Sequence, residues 1–549
     1  MKKVLSLLTL SLFIGLCVLN AQNPRTVVLE CFTSATCGPC AQYNPALDNL
    51  INNNADNLIA IKYHVNWPSP SNDPMNQHNP SEVSSRVSYY NVSTVPQSVA
   101  DGNVWNGNSG NVTQAMIDQW AAVESPLEMR MTHYLNDTQD TITVIVMGKA
   151  SSAISSDNLK LHIVVLEKTM EYATAPGTNG ERIFHNVMKK MLPGSSGTKI
   201  NAMQAGDYFA YEYSWALANV MDVNELTAVA WVQDNTNKHI IQGCKSTEDF
   251  QPFYAKQAQI TGIDHTKQHI CSGIVEPDIY VTNYGSETIN SLSINVSMNG
   301  NILSQISWQG NIPFGEQDNI SLGELAVEVS ENNEILIQID QINGAADDYA
   351  PSVYSYVFDE TMLIVNKSLK VLIRTDDDPQ SITWEVVNTA TGDIIINGGP
   401  YDTPHKKYTT NFDIDEDGCY MLTVYDAGGN GLTSGSGLYA LQAGNTTVIS
   451  GVDFTDKVSD EFSYTTYANV TEYAANTAKV YPNPTNGMLT IDTEESGLAE
   501  IYNMAGQMIL NQKIEGLTVL NLSELEKGTY LLVVTDNDGG TSRQVIVLQ

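Results

Sequence analysis

The sequence predicts a multidomain protein in which an N-terminal α/β domain is followed by several all-β sandwich modules. Three observations carry that expectation. The chain has 549 residues, too many for one core when domains run to roughly 100–200 residues. Residues 24–125 alternate strand-like and helix-like patterns, as helices packed on a sheet require. From about Phe253 onward, short β-rich runs are separated by Asn-Gly pairs at 299–300, 343–344, 397–398, 430–431 and 486–487. Both residue types tolerate the positive φ of a hairpin turn. Boundaries near 125, 252, 358 and 470 divide the chain into segments 24–125, 126–252, 253–357, 358–469 and 470–549.

Residues 1–21 read as an export signal. Lys2 and Lys3 precede an apolar run from Val4 to Val18, and Asn20-Ala21-Gln22 offers a cut after Ala21. The run falls short of the ~18–20 residues that span a bilayer. Leu16 stands where a lipid-attachment box at Cys17 needs a small residue. No later stretch reads as a transmembrane segment. The mature chain is therefore expected to live outside the cytoplasm. Its 62 acids against 27 bases give a net charge of −35. With no basic footprint to replace phosphate counterions, nucleic acid is excluded as a partner.

Within 24–125, Thr26–Phe32 and Leu58–Val65 are β-rich, and Cys40–Ile51 suits a helix. Val112, Met116, Ile117, Trp120 and Val123 fall on one face of another helix. In 126–252, strand-like runs at Thr141–Val146, Leu159–Leu166 and Leu226–Val232 are interrupted by a helix-like stretch near Arg182–Leu192. Segment 253–357 has the length and turn spacing of an immunoglobulin-like β-sandwich. Segment 358–469 is a β-sandwich with acidic loops.

Beyond Cys17, the cysteines are Cys31, Cys37, Cys40, Cys244, Cys271 and Cys419. Cys37-Gly38-Pro39-Cys40 follows a strand and opens a helix, whose unpaired N–H groups and partial positive charge stabilise a thiolate. Cys37, at that end, is the expected attacking thiol. Cys40, one turn inside, is the expected resolving thiol. Gly38 and Pro39 keep the turn tight enough for the sulfurs to meet. Pro45 removes one donor within the helix. Thr94-Val95-Pro96 precedes the strand Gln97–Ala100, which ends in Asp101-Gly102. On these residues, 24–125 resembles the thioredoxin superfamily. The resemblance implies that Pro96 is cis and packs against the dithiol, and that Val95 offers backbone groups to an extended substrate. The chain departs from that pattern in two places. Thr36 replaces the tryptophan that typically precedes the first cysteine, and Cys31 stands where thioredoxins place a buried acid. Glu30 points to the other face by strand alternation. Cys31 is thus a candidate third thiol. The other reading of the pair is a permanent disulfide that staples the helix start.

Several further groups of residues invite a chemical reading. Asp413, Asp415 and Asp417 imitate a calcium loop, but Val424 stands where an EF-hand needs an acid. Asp376–Asp378 and the stretch Asp426–Gly431, with Asp376, Asp426 and Asn430 as the oxygen donors, are weaker calcium candidates. Acidic turns on an acidic protein are usually just solvated. His64 and His78 lack a partner at zinc-ligand spacing and read as structural, so no metal is firmly expected. The loop Asn66–Pro80 reads first as a surface excursion and second as lining for a substrate site. Cys244 and Cys271 flank a boundary and are candidates to bridge two modules. Cys419 has no obvious mate.

The last module opens with Val480-Tyr481-Pro482-Asn483-Pro484-Thr485-Asn486-Gly487. Ile501-Tyr502-Asn503-Met504-Ala505-Gly506 and Lys527-Gly528-Thr529-Tyr530-Leu531 follow, and Val545–Leu548 closes it. The set resembles the type A C-terminal sorting domain of the type IX secretion system of Bacteroidota. The resemblance implies the secretion machinery and its sorting peptidase as partners, and a chain secreted or held on the outer cell surface by way of the periplasm. Residues 24–250 also resemble the Omp28-type family of secreted proteins, in which a thioredoxin-like domain precedes a β-sandwich. Tyr63-His64, Trp67-Pro68, Asp73-Pro74-Met75, Arg86, Tyr89-Tyr90 and Pro96 to Gly102 carry that likeness. Two functions follow. One is a thiol–disulfide oxidoreductase acting on protein thiols and disulfides, its redox-active Cys37–Cys40 pair needing no other cofactor. The other is a surface binding or adhesion protein in which the thioredoxin fold is a scaffold.

Overall fold

Strand β1 (Val27–Thr33) is buried at every position. Its run of Val, Leu and Phe is apolar without alternation, as a strand covered on both faces must be. Helix α1 (Gly38–Asn53) leads to β2 (Leu58–His64), which is equally buried and pairs parallel to β1, from Val27 opposite Leu58 to Thr33 opposite His64. These strands and helix belong to a computed structural model that describes residues 23–329, 333–361, 363–466, 479–493, 496–503, 507–536 and 541–549. The expected signal peptide, with Cys17, and Met504-Ala505-Gly506 of the last module lie outside the described residues.

The chain continues through α2 (Pro74–His78), α3 (Pro80–Tyr90), β3 (Gln97–Ala100), β4 (Trp105–Asn108) and α4 (Gln114–Ala121). Strands β5 (Leu127–Leu135), β6 (Thr141–Ala150), β7 (Leu159–Glu171), β8 (Ile183–Leu192), β9 (Thr198–Ile200), β10 (Tyr208–Ala216), β11 (Leu226–Asp234) and β12 (Ile240–Lys245) follow. The principal sheet runs β12-β11-β7-β8-β2-β1-β3-β4, with β9 joined to β7. Residue 125 therefore does not separate two sheets. Strand β8 pairs with β2 through Lys62 and Val187, covering an edge whose backbone groups would otherwise lack partners. Segments 24–125 and 126–252 share one sheet.

Helices α1 and α4 cover the β1–β3 part of one face through Leu47, Ile51, Ile117 and Trp120, with Cys31 among them. The small sheet β10-β6-β5 covers the rest of that face through Leu127, Met131, Val144 and Val146, packed against Leu161, Ile163, Ala228 and Ala230. Helix α3 lies on the opposite face, with Val83 and Tyr90 against Phe32, Ile61 and Tyr63.

Three expectations about local structure are corrected. The stretch near Arg182–Leu192 is the strand Ile183–Leu192, not a helix. Its Met and Lys residues suit either state, and pairing with β7 on one side and β2 on the other decides. Helix α4 begins after Val112 and ends before Val123, which is exposed. Two of the Asn-Gly pairs are not hairpins. Asn397 and Gly398 lie inside a strand, where a Cβ on Gly398 would sit 2.6 Å from the Trp384 ring. Asn430-Gly431 connects strands of different sheets. By contrast, Asn299 and Gly300, at φ 50° and 82°, turn between the paired strands Ile289–Met298 and Asn301–Ile312.

The chain forms two compact units. The first comprises residues to Gln268 with Gly273–Asp359, and the second His269–Ser272 with Glu360 to the C-terminus. In the first, residues 258–359 contribute to three further sheets, one of them only two-stranded, and the strands Ile289–Met298 and Asn333–Ile342 alternate inward and outward residues. In the second, a five-stranded and a four-stranded sheet enclose Trp384, Tyr420, Leu422 and Phe462. A smaller pair of sheets over 479–548 encloses Leu489, Ile501, Leu520 and Ile546.

Candidate functional site

Cys37 and Cys40 form a disulfide at the start of α1. Cys37 is the N-cap residue, and its Sγ accepts the backbone N–H of Cys40 at 3.0 Å. This is the position where the helix end favours a thiolate. The Val95–Pro96 peptide is cis, and the Val95 carbonyl oxygen lies 3.6 Å from Cys37 Sγ. Gly38 and Pro39 are exposed, while Cys37 and Cys40 are 1% and 0% exposed. The turn faces solvent, but its sulfurs do not.

Two loops are hydrogen-bonded to the segment around the dithiol. The first is residues 66–73. Thr36 Oγ1 donates to the Pro68 carbonyl at 2.8 Å, and Ala35 N–H donates to Asp73 Oδ2 at 2.6 Å. Asp73 caps α2 by accepting from Met75 and Asn76, and bonds His64 Nδ1 at 2.8 Å. Burial pushes the Asp73 carboxyl up, but His64 and these backbone donors outweigh it and hold the group below the usual carboxylate range. The stretch Asn66–Pro80 is exposed at Asn66 and from Pro68 to Asn72, and is anchored beside the dithiol turn by the bonds to Ala35 and Thr36. His64 has a carboxylate partner after all. His78 Nδ1 lies 3.0 Å from Lys189 Nζ; burial, then the Lys189 charge, lower its pKa to about 4.

The second loop joins β7 to β8. Asn179 N–H donates to Ala35 O at 3.1 Å, and Asn179 Nδ2 donates to Ser34 O at 3.1 Å and Cys37 O at 3.2 Å. Asn179 also bonds Glu181 Oε2, and Glu181 Oε1 accepts from Asn44 Nδ2 at 2.8 Å. A Cβ on Gly177 would lie 2.1 Å from Ala35 O, so only glycine lets this loop close.

Sequence reasoning gave Asp73 no role beyond the family likeness and missed Asn179 and Glu181. Asp73-Pro74 carried a usable signal, an N-cap residue followed by proline at the first helical position. Asn179-Gly180 marked only a turn, and nothing local tied it to residues more than 130 positions earlier.

Cys31 is free and 2% exposed. Burial pushes its thiol up to about 11, against a smaller opposing effect of the Ser98 hydroxyl. That protonation counts against Cys31 as an attacking thiol. Glu30 does face the other side of the sheet. There it accepts from Arg86 Nε at 2.9 Å, Arg86 Nη2 at 2.7 Å, Tyr63 at 3.0 Å and Tyr90 at 2.6 Å.

The other cysteines pair differently from expectation. Cys271 bonds Cys419, both in the second unit, and Cys244 is free and buried. The calcium candidates close loops of their own. Asp426 accepts from the N–H groups of Gly428, Asn430 and Gly431, each at 2.8 Å. Asp376 accepts from Ser434 Oγ at 2.7 Å and Asp378 N–H at 3.1 Å.

Residues 479–548 match the secretion system C-terminal sorting domain, which makes this C-terminus a type IX sorting domain and indicates secretion to the outer surface. Residues 28–233 match a family described as a protein of unknown function, DUF1223. That match runs through residue 125, as the sheet does. HBP35 of Porphyromonas gingivalis is similar at 14% identity and a TM-score of 0.35, over 61% of this chain and 98% of that one. A protein from Agrobacterium tumefaciens is similar at 13% identity and a TM-score of 0.29, over 42% of this chain and 97% of its own. Both scores are too low to bear on function. No curated protein matches the chain. No helix among the described residues is long and apolar enough to cross a membrane.

Proposed function

We propose that the chain is a thioredoxin-like thiol–disulfide oxidoreductase exported by the type IX route and acting on protein thiols or disulfides at or beyond the outer surface. One observation carries the reading: a disulfide between the N-cap of α1 and the residue three positions on, its first sulfur already accepting a helix N–H. In the reduced enzyme, the Cys37 thiolate attacks one sulfur of a substrate disulfide and releases the other as a thiolate. Cys40 then attacks Cys37, freeing the second substrate thiolate and leaving the Cys37–Cys40 disulfide. Two electrons pass to the substrate, and the reverse sequence oxidises a dithiol. Val95 and Pro96, beside Cys37, are the groups that would line an extended substrate.

The near-complete burial of both sulfurs favours a second reading, a surface binding protein in which the pair staples the turn. Equilibration of the mature protein with glutathione and dithiothreitol buffers separates the two. An oxidoreductase exchanges at about −120 to −270 mV. It also reduces insulin, with turnover falling more than about 10³-fold in Cys37→Ser. A bond below about −300 mV that exchanges with no protein substrate makes the pair a staple.

A further inference from the structure

Strands β2 and β8 are neighbours in the principal sheet, yet they pair at a single position, Lys62 opposite Val187. Toward the start of both strands the ladder is interrupted. Asn186, immediately before Val187, sits at φ 54° inside β8. That is the left-handed region, which Asn enters more readily than most residues and which no regular strand contains. Backbone held there inside a strand is strained, and strain of this kind gathers at ligand sites.

A cavity of about 370 Å³ lies beside this split, within the range of roughly 300–1,000 Å³ usual for small-molecule sites. Its wall is apolar and buried, with Ile51 of α1, Leu58, Ile59 and Ala60 of β2, Leu166 of β7 and Val229 of β11. Lys168, His185, Asn186 and Lys245 supply polar groups. No Asp or Glu lines the cavity among the described residues, although the chain carries 62 acids against 27 bases. Both lysines are exposed, and neither makes an ion pair among the described residues. Lys245 Nζ donates to the Ala55 carbonyl, which holds it at the rim with two of its three protons still to give. Unpaired cations beside a dry wall suit a ligand with an apolar body and one anionic head. The rim has no arginine fork and no nest of backbone N–H groups of the kind that phosphate recognition uses.

We propose that this cavity binds a medium-chain carboxylate, its chain against Leu58, Leu166 and Val229 and its head met by Lys168 and Lys245. The site is separate from the dithiol. Cys37 follows the end of β1 at Thr33, which lies opposite His64, whereas the cavity is at the Leu58 end of β2. Seven strand residues place the two ends roughly 20 Å apart. The assignment therefore stands whichever reading of the disulfide holds.

Calorimetric titration of the full-length protein with octanoate tests it, with octanol as the uncharged probe and acetate as the tail-less one. One octanoate should bind per chain, at least about tenfold more tightly than either of the other two. Replacing both exposed lysines, Lys168→Met with Lys245→Met, should weaken octanoate at least about tenfold and close its advantage over octanol. Thr227→Trp, which fills the cavity from a half-buried lining position, should abolish octanoate binding. Hydrogen exchange should show octanoate protecting Leu58–Ala60 and His185–Val187 and leaving the turn at Cys37 unchanged. Failure of octanoate to saturate, octanol binding as well as octanoate, or an unchanged affinity in the lysine variant overturns the proposal. Tighter binding of octyl phosphate than of octanoate overturns the carboxylate assignment.

Discussion

The two disulfides differ in almost every physical respect. Cys37–Cys40 spans 3 positions, while Cys271–Cys419 spans 148. The short bond removes little freedom from the unfolded chain; the long one closes a large loop and removes much of it. The short bond caps a helix whose N–H groups stabilise a leaving thiolate. The long bond sits beside the Glu461 carboxylate, which lies 3.3 Å from Cys419 Sγ and accepts from the N–H groups of Cys271 and Ser272. A neighbouring negative charge disfavours a thiolate. Exposure runs the other way. The sulfurs with the chemistry of an exchanging pair are almost fully buried, while Cys271 and Cys419 are only half-buried. Thiolate stabilisation and access are thus separable properties, and in the first unit two loops bond the segment around the buried pair.

The contrast can be broken most severely at the long bond. Replacing Cys271 and Cys419 together by serine is expected to destabilise the second unit by about 3–5 kcal/mol. Denaturant-dependent hydrogen exchange on Gly418–Asp426 and Lys457–Tyr464 reads that loss, and disulfide exchange at Cys37 should not change. A smaller effect is expected where the first loop meets the dithiol turn. Asp73→Asn weakens the bonds to Ala35 N–H and His64, at about 1–3 kcal/mol, and should speed reduction of Cys37–Cys40 by dithiothreitol several-fold. The pH dependence has a definite sign. Because the folded Asp73 carboxyl is held low, its contribution is complete above the ordinary carboxylate range of about 4 and is lost as pH falls below it. Acid should therefore loosen the segment that carries the pair, and speed its reduction, in the wild type and have less effect in the variant. The smallest effect concerns Cys31. With its thiol pushed up to about 11, only about one molecule in a thousand carries the thiolate at pH 8. Mass spectrometry after brief iodoacetamide treatment of the reduced protein should find Cys37 labelled and Cys31 largely untouched.

What was legible in the sequence was what is local. The β1 run, the helix opening at Cys37 and the turn at Asn299-Gly300 each show in a window of a few residues. The sorting domain was legible for the same reason, through short motifs in a fixed order. What escaped was decided between distant segments. Strand β8 reads as a helix because its Met, Lys and Leu residues have no strand preference of their own, and only β2 and β7 on its two sides impose one. Asn179 and Glu181 lie in a loop whose bonds no local window shows, because their partners, Cys37 and Asn44, lie about 140 positions away. Cys271 and Cys419 could not be matched because spacing places no limit on which thiols meet across so long a loop.

The short stretch His269–Ser272 leaves the first unit, joins the second and returns. There His269 pairs with Asp460, and Cys271 bonds a strand that begins 147 residues later, at Gly418. The two units are therefore not beads that shuffling of gene segments can exchange at residue 360. A chain given a foreign C-terminal segment there would carry Cys271 without Cys419, a stray thiol open to coupling with other proteins. Inheritance should keep 269–272 and 418–464 together, and a change in one should appear alongside a change in the other.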